Sequence, residues 1–184
     1  MTRILIVSGS LRAGSFNTAL ARTAQQLAPG GVQVDVATLH GIALYDGDTE
    51  AREGIPAAVL ALKERVLAAD GLLLATPEYN NGVPGVLKNG IDWLSRADLK
   101  AVFGGRPVGL MGASPSGFGT LLSQAAWLAT LKSLGAQVYS GSALMVSRAH
   151  TVFDAQGQLT DERTRQLLTD FVADFAAFVQ QQRR

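Results

Sequence analysis

Ile4, Leu5, Ile6 and Val7 run straight into Ser8, Gly9, Ser10, Leu11, Arg12, Ala13, Gly14, Ser15, Phe16 and Asn17. An apolar run breaks here into a loop of small, hydroxyl-bearing and basic residues, and an amphipathic stretch follows at once. A strand, a polar loop and a helix start in that order confine the chain to an alternating α/β architecture. The same order builds an anion site. Free backbone N–H groups and the helix dipole converge on one spot, and Ser, Asn and Arg side chains add donors. The expected guest is a phosphate carried by a larger molecule.

The rest of the chain repeats this alternation. Residues 2–8 read as the first buried strand, and residues 15–28 as a helix with Leu20, Ala24 and Leu27 on one face, stopped at Pro29-Gly30-Gly31. Residues 32–39 alternate Val32, Val34 and Val36 with polar partners, as an edge-side strand does. Residues 40–56 form a long polar connection around Tyr45-Asp46-Gly47-Asp48, a candidate lid or rim. A helix over 57–69, a fully buried strand over 71–76 and a helix from Pro84 to about Ser95 follow. A strand over 106–113, a helix over 121–134 and a strand over 137–146 come next. Thr160-Asp161-Glu162 opens the last helix, whose core face is Leu167, Leu168, Phe171, Val172, Phe175, Phe178 and Val179. Five strands alternating with helices predict a three-layer sandwich. Its parallel sheet has the flavodoxin-like order 2-1-3-4-5, with helices on both faces, in a single domain over residues 1–184. In that order a ligand binds outside the carboxyl ends of the strands. The Gly/Pro-rich loops after strands one, three and four all arrive there.

Composition removes several classes of function. Of 184 residues 47% are hydrophobic and 17% charged, with a net charge of +1, so nothing favours nucleic acid as the main partner. The absence of cysteine excludes thiol nucleophiles, disulfides and Cys-ligated metals. His40 and His150 sit in no ligand-spaced motif, which argues against zinc. No apolar run approaches the roughly 20 residues that span a bilayer, and the N-terminus lacks the pattern of a signal peptide. A cytoplasmic protein is expected, with Arg183-Arg184 as a solvated tail.

Each loop admits a bland reading beside a functional one. Ser10, Arg12, Ser15 and Asn17 in the first loop match neither a Walker A sequence nor a G-x-G-x-x-G fingerprint, and Ser15 or Asn17 also suits simple helix capping. The second loop, Pro77-Glu78-Tyr79-Asn80-Asn81-Gly82-Val83-Pro84, is stiff enough to meet a planar heteroaromatic ring edge-on. It equally fits a tight turn, with Glu78 as a helix-capping or interface carboxylate. The third loop, with Ser114, Ser116, Gly117 and Gly119, allows a flat ligand close, or is ordinary turn chemistry.

Two motifs together carry a resemblance. Gly9-Ser10-Leu11-Arg12-(x2)-Ser15-(x)-Asn17 is the first. The second is Pro77-Glu78-Tyr79-Asn80-(x3)-Pro84-Gly85-(x)-Leu87-Lys88-Asn89-(x)-Ile91-Asp92-Trp93. With them the chain resembles the NADPH-dependent FMN reductase family, which includes flavodoxin-like quinone, azo-dye and chromate reductases. The resemblance implies that Ser10, Arg12, Ser15, Phe16 and Asn17 hold the FMN phosphate. It implies that Pro77, Glu78, Tyr79 and Asn80 line the isoalloxazine ring, and that Ser114 and Gly117 stand at its other edge. No catalytic side chain is then required, because flavin N5 takes the hydride from NADPH or NADH. Tyr79 and Asn80 are left to orient the reactants. The acceptor would be a small molecule such as a quinone, an azo compound, free flavin or a metal oxyanion.

The resemblance also implies a homodimer or homotetramer, with Lys88, Asp92 and Trp93 at the subunit contact. Thr120 and Leu122 stand where many members carry Gly and Arg, which leaves NADPH against NADH open, and Gly90 replaces a common Ala inside a helix. Two rivals remain at this level. One is a flavodoxin-type electron carrier, disfavoured by the +1 charge because such carriers are acidic. The other is a nucleotide-binding regulatory protein without flavin.

Overall fold

The computed structural model describes residues 1–182; Arg183 and Arg184, expected to form a solvated tail, lie outside the described residues. The sheet runs β1 (Thr2–Ser8), β2 (Val32–Ala37), β3 (Gly71–Ala75), β4 (Pro107–Ala113), β5 (Gln137–Val138) and β6 (Leu144–Val146). Its order is β2-β1-β3-β4-β5, with β6 also on β4, and every pairing is parallel. The expected order therefore holds, with one change. The single fifth strand of the sequence reading is two short ones, because the chain leaves β4 after the Tyr139 N–H bond to Val108 O and rejoins it at Leu144, around Ser140-Gly141-Ser142.

Alternation along each strand sorts the core into two layers. Ile4, Ile6 and Leu73 face α1 (Phe16–Gln26) and α7 (Glu162–Gln182), where they meet Leu20, Phe171 and Phe175. Leu5, Val7, Leu72 and Leu74 face the other way, toward Val59, Ile91, Trp93 and Trp127. Those residues belong to α3 (Ala57–Leu67), α4 (Gly85–Phe103) and α5 (Leu121–Ser133). The three-layer sandwich follows from these two apolar faces. On α7 Leu168, Phe171, Val172, Phe175 and Val179 are buried as expected, but Leu167 points out at 51% exposure. Leu167 instead lines an open recess beside β6 with Met145, Val152 and Phe171.

Three local features were not legible. The 40–56 connection contains α2 (Gly47–Glu53), capped by Asp46, whose carboxylate accepts the Asp48 N–H. It straps α4 and does not line the loop cluster described below. Ala43 O accepts from Asn89 Nδ2 and Trp93 Nε1, both at 2.9 Å, and the Tyr45 ring meets Trp93 edge-on. Tyr45 donates to Glu50, which also takes the Arg96 guanidinium. That contact with Arg96, and then with Tyr45, holds the Glu50 carboxyl below its ordinary value. Helix α4 continues past Ser95 through an extended residue, Asp98, whose Oδ1 caps the Ala101 N–H. A short helix α6 (Ala149–Val152) follows Arg148, which adopts a left-handed backbone at φ 48°. Gly90 has a packing reason: a Cβ there would stand 2.8 Å from Leu39 Cδ2. Close contact between α4 and the strand-two loop offsets the helix-propensity cost of about 1 kcal/mol.

Candidate functional site

The first loop is set by what surrounds β1's end. Ser8 is buried with its hydroxyl 2.7 Å from that of Thr18, and Gly9 N–H donates to Ala75 O. A side chain at Gly9 would collide with Pro77 and Leu87, both 2.9 Å from the position of a Cβ. Hydrogen at that position is what lets the first loop lie against the second. Ser15 is the N-cap of α1, its hydroxyl accepting the Thr18 N–H. The capping reading is therefore correct, and the Ser15 O–H stays available as a donor. The N–H groups of Phe16 and Asn17 lie in the first turn, where no intrahelical acceptor exists. Ser10 is buried and takes the Arg12 N–H on its oxygen. The exposed Arg12 guanidinium turns back onto Gly14 O at 3.1 Å.

Asn17 does more than the sequence reading assigned to it. Its side chain is 4% exposed and forms both hydrogen bonds of a bracket, Nδ2 to Ala113 O and Oδ1 from Ala113 N, each 2.9 Å. The amide therefore ties the start of α1 to the end of β4, and leaves the backbone N–H, in the first turn, as the donor Asn17 has to spare. The third loop begins right after that bracket. Ser114 hangs from Val146 and holds Ala149 through its backbone, while its Oγ accepts the Ser116 N–H.

In the second loop both bland readings have substance. Tyr79 and Gly82 face each other across Asn80 and Asn81, with φ 50° and 60°. Two successive left-handed residues make a type I′ turn, which Asn tolerates better than most residues. Tyr79 is 54% exposed. Glu78 caps α5 from outside: its Oε2 accepts the Ser123 N–H at 2.9 Å, in a helix whose own N-cap, Thr120, makes no side-chain cap bond. Just before it, the buried Thr76 hydroxyl meets Ser123 Oγ and Trp127 Nε1, which locks α5 to the base of the loop.

The three loops enclose one groove of about 120 Å³ at the carboxyl ends of β1, β3 and β4. Ser10, Arg12, Ser15, Phe16 and Asn17 form one wall. Pro77, Glu78 and Tyr79 form the second, and Ser114 the third. Asn80 and Gly117 do not line it; the one sits at the turn apex and the other on the exposed outer arm of its loop. Ala113 and Pro115 do line it and were not singled out from sequence, although both adjoin Ser114. Thr120 is fully buried, its hydroxyl accepting from Gln124 Nε2, so it packs the start of α5 and is closed to a ligand. Leu122 is exposed. Trp93 is buried within the protomer, and Lys88 pairs with Asp92 at 2.8 Å on the same helix. Among the described residues no group of three or more His, Cys, Asp or Glu could hold a metal.

A parallel sheet of this order, with a helix N-terminus and a stiff, aromatic-bearing loop meeting at its switch point, defines a flavodoxin-like protein. The chain belongs to the NADPH-dependent FMN reductase family, which it matches over residues 2–151. It is 43% identical over 166 residues to an NAD(P)H-dependent FMN reductase of Pseudomonas aeruginosa, covering 90% of this chain and 89% of that one. It is 38% identical over 180 residues to a quinone reductase of Escherichia coli strain K12, covering 97% and 95%. Among solved structures, FerB, the flavoenzyme NAD(P)H:(acceptor) oxidoreductase of Paracoccus denitrificans, superposes with a TM-score of 0.86 at 31% identity, covering 99% of each chain.

Proposed function

We propose that the groove is an FMN site and that the protein is an NAD(P)H-dependent oxidoreductase passing electrons to a small acceptor. The observation that carries this reading is the meeting of three loops with the free N–H groups of α1 and the Arg12 side chain. The donors suit a phosphate dianion: Ser10, Ser15 and Arg12 by side chain, Phe16 and Asn17 by backbone. Pro77, Glu78 and Tyr79 on one side and Ser114 on the other suit a flat ring. Asn80 and Gly117, outside the groove, would reach only the rim of a bound flavin. Bound FMN supplies the two-electron chemistry that no side chain here can perform, between a nicotinamide donor and the acceptor.

The chain's own part is to bind, orient and leave one face open. Glu78 holds its loop at a fixed height above α5, and the Asn80-Asn81 turn presents Tyr79 to solvent, where it can guide either reactant by stacking. A quinone is the acceptor favoured by the relatives; azo compounds, free flavin and metal oxyanions suit the same open face.

Anaerobic titration of the FMN-reconstituted protein with NADPH tests the reading. Loss of the flavin's visible absorption supports it. A bound flavin that keeps its colour points to an electron carrier, and no bound flavin at all overturns the assignment. A homodimer or homotetramer is part of the proposal, supported by the exposed Leu121, Leu122 and Leu128 on α5. Light scattering on a sizing column reads it, and a monomer refutes it. No helix among the described residues is long and apolar enough to cross a membrane. A cytoplasmic location is part of the proposal.

A further inference from the structure

A second recess, of about 420 Å³, opens from the phosphate end of the groove. The two share Ser15 and Phe16 in their walls. From there the recess follows one face of α1 through Ala19, Arg22 and Gln26. Its opposite wall is the hairpin between Phe153 and Leu159, whose Gly157 stands over Ala19. That hairpin lies just past the family-matched residues 2–151. Ser15 to Gln26 spans about 16 Å at the α-helical rise of about 1.5 Å per residue, room for a nucleoside phosphate laid along the helix.

The chemistry of the walls fits the same guest. Arg22 is exposed, and among the described residues its guanidinium has no ion-pair or hydrogen-bond partner. The Arg12 guanidinium lines the neighbouring groove and reaches the mouth of the recess at Gly14 O, while Arg22 stands about two turns further along α1 inside it, so a permanent cation serves each end of a diphosphate path. Asp154 is its acidic member. Oδ1 of Asp154 is taken by the N–H groups of Gln156 and Gln158, which leaves Oδ2 as an acceptor for ribose hydroxyls, the role an acidic residue plays in dinucleotide sites. Gln26, Gln156 and Gln158 add amide donors and acceptors of the kind that pair with a purine edge.

We propose that this recess takes the adenosine-phosphate half of FAD, so that the cofactor site accepts FAD as well as FMN. The inference rests on the FMN reading of the groove. It selects FAD over a nicotinamide dinucleotide as the source of the adenylate, because the recess continues from the phosphate end, whereas a nicotinamide must enter at the ring end. Arg22 and the hairpin would then hold the second phosphate and the adenosine outside the flavin groove.

The test is flavin-fluorescence titration of the apoprotein with FMN and with FAD, in the wild type, Arg22→Ala and Ala19→Trp. FAD should bind the wild type within about tenfold of FMN. Arg22→Ala should weaken FAD about tenfold or more and leave FMN unchanged, as loss of a charge-assisted phosphate contact predicts. Ala19→Trp, which fills the recess, should exclude FAD and spare FMN. FAD binding that neither variant alters means an adenylate left in solvent and overturns the proposal. So does FMN binding without FAD, or an equal loss of both flavins in Arg22→Ala. Failure of both flavins to bind the wild type instead overturns the FMN reading itself, and this inference with it. Arg22 is exposed, so its variant folds even if Ala19→Trp does not.

Discussion

Asn17→Ala separates a wall of the site from a ligand in it. In the native chain the Asn17 amide gives and receives one 2.9 Å hydrogen bond with Ala113, and Ala113 is 3% exposed. Removing the amide leaves a buried N–H and a buried C=O at the end of β4 without partners. Each orphaned group costs about 1–3 kcal/mol, so the loss is about 2–6 kcal/mol, toward the lower end where groove water reaches Ala113. For a chain of this size each kcal/mol moves the midpoint by about 2–4 °C, so the melt should fall on the order of 5–15 °C. Asn17→Asp should be similarly unstable. One carboxylate oxygen can still accept from the Ala113 N–H, but the other then faces the Ala113 carbonyl. FMN affinity should fall in both variants, because the third loop starts at the residue this bracket pins. Thermal melts of the apoprotein and fluorescence titration with FMN read the two effects. If Asn17→Ala melts within about 1 °C of the wild type while FMN binding collapses, the amide is a direct phosphate ligand and the bracket argument is wrong.

Arg12→Ala should weaken FMN binding by about 1.5–3 kcal/mol, toward the lower figure because the guanidinium is exposed, without changing the melt; unchanged affinity would remove the first loop from the site. Glu78→Ala should lower stability by about 0.5–2 kcal/mol through loss of the α5 cap, seen as an earlier urea midpoint at constant slope. An unmoved midpoint means the cap is idle. The Glu50 carboxyl is held below its ordinary 4.5, first by Arg96 and then by Tyr45, and Asp161 below 3.8 by the Thr164 hydroxyl and N–H. A lowered folded-state value stabilises the fold fully above the unfolded value and loses that contribution as pH falls through the folded one. Melting points should therefore drop as pH falls below about 4.5. Glu50→Gln should flatten that drop, and a profile identical to the wild type would discount the Tyr45–Glu50–Arg96 contact.

The fold was legible because its central strands are mostly apolar and its edge strand β2 alternates. Leu72, Leu73 and Leu74, a short apolar run between Gly71 and Pro77, fit a strand covered on both faces, and the long alternation of strands and helices then leaves few sheet orders. What escaped was set by tertiary contact. The split between β5 and β6 depends on where Ser140-Gly141-Ser142 abandons β4, which no local pattern marks. The 40–56 segment read as a lid or rim because it is long for a compact domain, and polar. Its polar groups instead satisfy α4, through Ala43 O, Tyr45 and Glu50. Trp93, placed by resemblance at a subunit contact, is consumed by the same strap.

The candidate site was legible as a location and less so as a set of roles. Residue types chosen for ligand chemistry turn out to hold the loops that make the groove: Ser15 caps α1, Asn17 brackets β4, Glu78 caps α5, and Asn80 supplies a left-handed turn residue. The same hydrogen-bonding capacity serves both purposes, so sequence pattern cannot separate them; only the partner in space does. The consequence is physical. A ring platform made of backbone and prolines has little freedom of its own, so its shape depends on these remote ties. Substitutions at Asn17 and Glu78 should therefore alter flavin binding through the loops they anchor, whereas the Arg12 side chain, bonded among the described residues only to Gly14 O, should act on the phosphate alone.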